Sequence, residues 1–108
     1  MKEIHSYDVY ILAEQLSDHI WKVYDTWDAK AKRTMGIQII RSVDSISANL
    51  ADRKRFYRYS RGSFEETKAW LRKAYRRNLI SEDRTKEIQK IVEKLGPKLN
   101  KFISKTGT

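Results

Sequence analysis

The sequence contains no cysteine and only one proline, Pro97, in 108 residues. Without thiols neither a disulfide framework nor a thiolate metal centre can form, and a reducing cytoplasm suits such a chain. Only four glycines occur, and none belongs to a glycine-rich phosphate loop. No apolar run nears the roughly 18 residues of a membrane span. The charged start MKEIHSYD lacks the apolar centre of a secretory signal. A soluble, cytoplasmic protein without membrane association is expected. Strand-like alternation is also missing, which leaves an all-α chain. At this length residues 1–108 are expected to form a single domain, whose modest core gains if self-association buries more surface.

What is present is helical periodicity. Val9, Leu12, Leu16, Ile20, Val23 and Trp27 recur at steps of three or four, predicting an amphipathic helix over Ser6 to Trp27, capped by Ser6 or Asp8. After the polar connection DAKAKRT, Thr34 can cap the next segment. There Ile39, Val43, Ile46 and Leu50 form one stripe, and Tyr57, Ser60, Phe64, Thr67, Leu71 and Ala74 continue it in phase. Gly62 beside Ser60 and Ser63 reads as a close-packing site. Asn78 suits the left-handed end of this stretch, and Ser81, followed by Glu82 and Asp83, caps the last helix. That helix buries Ile88, Ile91, Leu95, Leu99 and Phe102, with a kink or short break expected at Gly96-Pro97. Antiparallel helices with short connections make a bundle. Trp21, Trp27 and Trp70 read as core or interface anchors.

Charge is placed unevenly. Residues 1–29 hold two basic residues, Lys2 and Lys22, against six acidic ones, yet the whole chain carries a formal charge of +9. A polyanion is therefore the natural partner of the later segments.

The ordered set Gly36, Gln38, Arg41, Ser45, Ile46, Asn49, Ala51, followed by Phe56, Arg61, Gly62, Ser63, Glu66 and Leu71, resembles a known family. It is that of the four-helix-bundle proteins encoded in intervening sequences of bacterial large-subunit ribosomal RNA genes. A more distant likeness is to the accessory variability proteins of diversity-generating retroelements. The resemblance implies an up-and-down four-helix bundle that assembles as a homo-oligomer, commonly a pentamer, and in the retroelement relatives a basic surface that binds nucleic acid. One departure stands out: the loop that relatives carry after N-I-A is missing, and Ala51 runs straight into Asp52. Two outcomes follow. With Ala51 joined directly to Asp52, helices 2 and 3 are expected to fuse into one rod of roughly 65 Å, which can pack only by domain swapping; an ordinary hairpin returns only if the loop is present.

The strongest functional signal is a row of cations. Lys54, Arg58, Arg61, Lys68, Arg72 and Arg76 share one helical face, with Arg53, Arg55, Lys73 and Arg77 beside it. Guanidinium groups form charge-assisted, often bidentate bonds to phosphate oxygens, so such a row can track RNA or DNA without reading sequence. Tyr57 and Tyr59 lie among the charges and can stack on unpaired bases. The plain alternative is a solvated face. A different class of reading is an assembly or adaptor protein docking an acidic protein partner. Arg41, Ser45 and Asn49, spaced by four, suggest either a recognition strip or a structural polar seam in which Arg41 pairs with Glu66. No enzyme is expected, and neither cofactor nor metal. His5 and His19 are not at ligand spacing, Glu65-Glu66 diverge on a helix, and Gly62-Ser63 follows no strand.

Overall fold

The computed structural model describes residues 7–51 and 57–106, which form four helical rods with no strand among the described residues. The first rod is α1, Asp8–Tyr24. In the second, α2 (Ala29–Ala31) passes through a π-helical turn, Lys32–Gly36, into α3 (Ile37–Ala51) with helical backbone angles throughout. The third and fourth are α4, Tyr57–Arg76, and α5, Glu82–Thr106.

Each rod turns inward the stripe that its 3.6-residue period sets apart. Val9, Ala13, Leu16, Ile20 and Val23 of α1 are buried, as are Ile39, Val43, Ile46 and Leu50 of α3, and Ile88, Val92, Leu95 and Leu99 of α5. Leu12 and Ile91, expected in the stripe, are only half-buried because each lies at its edge. The rods form a ring in which α1 touches α3 and α5, α3 packs extensively on α4, and α4 meets α5 most sparsely.

Small hydroxyl side chains join the rods where large ones would hold them apart. Ser60 Oγ donates to the Ile46 carbonyl at 2.7 Å, and Thr67 Oγ1 lies 3.1 Å from Ser42 Oγ. On the other side of α3, Ser17 Oγ donates to the Val43 carbonyl at 3.3 Å and Ser47 Oγ to Glu14 Oε2 at 2.6 Å. Each buried hydroxyl thus has an acceptor, which removes the cost of roughly 1–3 kcal/mol for an unsatisfied group.

These hydrogen bonds decide between the two outcomes at the Ala51-Asp52 join. A continuous rod would place Ser60 roughly 21 Å along the axis from Ile46, whereas the two are hydrogen-bonded. The longest dimension of the molecule is 43 Å, too short for the fused helix. α3 and α4 therefore form an antiparallel hairpin within one chain, and the reason for a domain swap disappears. The five positions between them, 52–56, lie outside the described residues; that spacing falls within the roughly 2–8 residues usual between bundle helices.

Several end signals act as the sequence suggests, and others do not. Asn78 takes φ 61° and the Leu79 amide reaches back to the Ala74 carbonyl at 2.9 Å, closing α4. The Ser81 hydroxyl accepts from the Arg84 amide at 3.2 Å. Ser6 lies outside the described residues, and Tyr7, whose side chain makes no capping bond, occupies the cap position expected of Asp8. Thr34 sits inside the π-helical turn, donating to the Lys30 carbonyl at 2.9 Å, and Asp28 caps this rod instead, accepting from the Ala31 amide at 2.8 Å. Gly96-Pro97 does not interrupt α5. Leu95 and Leu99, both fully buried, hold the turns on either side and offset the amide that proline removes.

The glycine that permits close approach is Gly36 rather than Gly62. A Cβ at position 36 would lie 2.6 Å from Tyr24 Cε2, while one at position 62 would meet nothing within 4 Å. Gly36→Ala should therefore lower the melting temperature, because overpacking of about 1–3 kcal/mol exceeds the helix-propensity gain of about 1 kcal/mol. Gly62→Ala should raise it, keeping only the gain. Thermal unfolding followed by circular dichroism compares the two.

Candidate nucleic-acid interface

α4 carries the cation row because its inward side is committed to Tyr57, Ser60, Phe64, Thr67 and Ala74. What lies opposite must face water. Arg58, Arg72, Arg76, and Arg77 just beyond the helix end, are exposed, and among the described residues none has a carboxylate within 4 Å. Lys73 is exposed too, its ammonium 5.0 Å from the Trp70 ring centre. Arg53, Lys54 and Arg55 lie outside the described residues.

Midway along the row one carboxylate intervenes. Glu65 takes Arg61 Nε at 3.4 Å and Lys68 Nζ at 3.2 Å. Slight burial pushes the Glu65 carboxyl upward, but Lys68 and then Arg61 outweigh it and hold it below its ordinary value. Arg61 also donates to Asn100 of α5, and Lys68 stands over the Phe64 ring at 5.0 Å. All of these ion pairs are at least partly exposed, and such pairs contribute only about 0–1 kcal/mol, so phosphate oxygens can compete for the cations. The row thus has unpaired guanidiniums toward both ends and a middle in which one carboxylate partly offsets two cations.

Tyr57 does not serve as a base-stacking platform. It is 8% exposed and packs edge-on against Phe102 with ring centres 5.0 Å apart. Tyr59, 62% exposed, remains on the surface. Trp27 is buried, its indole donating to the Leu79 carbonyl at 2.8 Å, and Trp70 is half-buried, but Trp21 is 54% exposed.

The expected seam at Arg41, Ser45 and Asn49 takes a different form. Ser45 Oγ donates to the Arg41 carbonyl at 2.7 Å and Asn49 Nδ2 to the Ser45 carbonyl at 2.8 Å, so both bond within their own helix. Arg41 is exposed and no ion pair joins it to Glu66, which accepts from the Trp70 indole at 3.4 Å. The polar groups between rods are the serines and Thr67 described above.

Two further features belong to the surface beside α4. Lys86, Lys90, Lys94, Lys98, Lys101 and Lys105, at steps of four or three, are all exposed along α5, and only Lys98 is ion-paired among the described residues, with Asp8 at 2.7 Å. That hydrogen bond holds the Asp8 carboxyl below its ordinary value. The regular spacing is a signal that sequence reasoning missed. The second is an open cleft of about 530 Å³ between α4 and α5, with Arg72 and Lys68 along one edge. Opposite in sign is the α1–α3 side, where partial burial, then the charges of Glu14 and Asp18, push the Asp44 carboxyl up against the lowering effect of the Ser17 hydroxyl.

Among the described residues no three His, Asp or Glu side chains converge as a metal site, and no helix is long and apolar enough to cross a membrane. His5 lies outside those residues, and His19 Nδ1 is buried, 3.9 Å from Glu87 Oε2.

Fold and surface together define a cysteine-free, all-α four-helix bundle with a guanidinium row on its third rod. Over residues 5–101 the chain matches the 23S rRNA-intervening sequence protein family, and it belongs to that family. Among curated proteins none matches it.

Proposed function

We propose that this protein is a non-enzymatic, cytoplasmic, self-associating bundle that binds RNA or DNA through the α4 face, largely without regard to sequence. The observation that carries the reading is the exposure of Arg58, Arg72 and Arg76 on one side of a helix, with no carboxylate partner among the described residues. Folding does not consume these charges, and in a chain of net charge +9 they attract phosphates. Membership of a family named for a ribosomal RNA insert is in keeping with a nucleic-acid partner. Self-association is supported by the exposed Ile11 and Trp21 of α1 and Ile37 of α3, apolar side chains that a second copy could cover.

Salt dependence tests the reading. Affinity for a fluorescein-labelled RNA should fall roughly 100-fold between 50 and 200 mM salt, as expected when several phosphates shed counterions. Constant affinity over that range would overturn it.

A further inference from the structure

The cleft beside the cation row has a use that the row alone does not explain. Its floor is apolar, built from Phe64 and Leu71 of α4 and Ile88 and Val92 of α5. It remains open because α4 and α5 are the most sparsely packed neighbours in the ring. Its volume of about 530 Å³ lies within the roughly 300–1,000 Å³ of small-molecule sites.

The two edges differ chemically. Lys68 and Arg72 stand on the α4 edge with Tyr75, an aromatic ring left 47% exposed. The α5 edge presents Thr85, Gln89 and Glu93 at successive turns; Thr85 gives its proton to the Ser81 carbonyl at 2.8 Å, so toward a planar heterocycle Gln89 can donate and all three can accept. Glu93 repels phosphate, so an anionic group belongs on the α4 side. An occupant with a flat, partly apolar body, hydrogen-bonding edges and an adjoining phosphate satisfies all three surfaces.

We infer that the α4–α5 cleft receives an unpaired nucleobase whose flanking phosphates lie on Lys68, Arg72 and Arg76. This rests on the nucleic-acid reading of α4 and adds to it a preference for single strands. Bases in a duplex are stacked and paired, and they cannot enter a cleft between two helices.

Fluorescence anisotropy at one salt concentration would compare three probes: a single-stranded RNA, the same strand with abasic residues, and the corresponding duplex. The ordinary strand should bind at least about fivefold tighter than the abasic one, the low end of what stacking a single base contributes. Gln89→Trp fills the cleft from an exposed position, and should bring the ordinary strand to the abasic level while leaving abasic binding unchanged. Tyr75→Ala, also at an exposed position, should narrow the preference to less than threefold and serves if the tryptophan variant fails to fold. Equal binding of ordinary and abasic strands would overturn the cleft assignment and leave the phosphate reading standing. Failure of every probe to bind would overturn both.

Discussion

Exchanging Arg58, Arg61, Arg72 and Arg76 together for glutamine should lower affinity for a single-stranded RNA by at least about 100-fold, since a charge-assisted hydrogen bond contributes about 1.5–3 kcal/mol. The dependence of log affinity on log salt should flatten by about 0.7 for each phosphate that is no longer neutralised. All four side chains are exposed, so the melting temperature should move little. The informative control removes the same formal charge elsewhere. Lys22, Lys30, Arg33 and Arg41 are also exposed, and their joint exchange for glutamine should retain most of the affinity. If the two quadruple variants lose affinity equally, net charge rather than the α4 face governs binding, and the assignment fails. Isothermal titration at two salt concentrations makes the comparison.

Leu16→Ala should produce the largest loss of stability, about 2–5 kcal/mol. Leu16 is fully buried at the centre of the α1 stripe, and truncation removes both its transfer free energy and the dispersion attraction of the atoms around it. At about 4–8 °C per kcal/mol for a domain near this size, the melting temperature should drop by about 10 °C or more. Ile11→Ala, on the same helix, is the counterpart. Its side chain is 44% exposed, and the loss should be well under half as large. Equal losses at the two positions, read from urea unfolding, would mean that α1 does not pack in the orientation described.

Both expectations draw on information that is local in the chain. The inward stripe of α1 is visible from Val9 to Val23, and that of α3 from Ile39 to Leu50, because a period of 3.6 places residues on one side whatever lies opposite. The roles of Asn78 in ending α4 and of Ser81 in starting α5 are equally legible, since left-handed backbone and side-chain capping depend on a few adjacent residues. The α5 lysines have the same kind of signal, masked by the denser arginine row that precedes them.

Other features depend on partners far away in sequence. Tyr57 belongs by spacing to the apolar stripe and by neighbours to the arginine row, and its packing on Phe102 decides for the stripe. Arg41 and Glu66 are suited to pair, but Glu66 accepts from Trp70 one turn along its own helix, and the hairpin leaves Arg41 in water. Gly62 has the neighbours of a close-packing site, whereas Gly36 is the one pressed by a ring, that of Tyr24. The cleft has no linear signature, because its walls come from two helices that happen to diverge.

By itself, then, the sequence determined the all-α character, the four amphipathic segments and the cationic outward face of α4, since all three follow from spacing along a helix. Whether the second and third segments fold back on each other was settled only in three dimensions. The in-phase stripe is compatible with a single rod, but Ser60 and Thr67 reach Ile46 and Ser42 across the hairpin. Burying both stripes within one chain satisfies those hydroxyls and the apolar side chains at once. The pairing of Glu65 with Arg61 and Lys68 is local to α4, at spacings of four and three, whereas the bond from Arg61 to Asn100 was decided by the packing of α4 on α5.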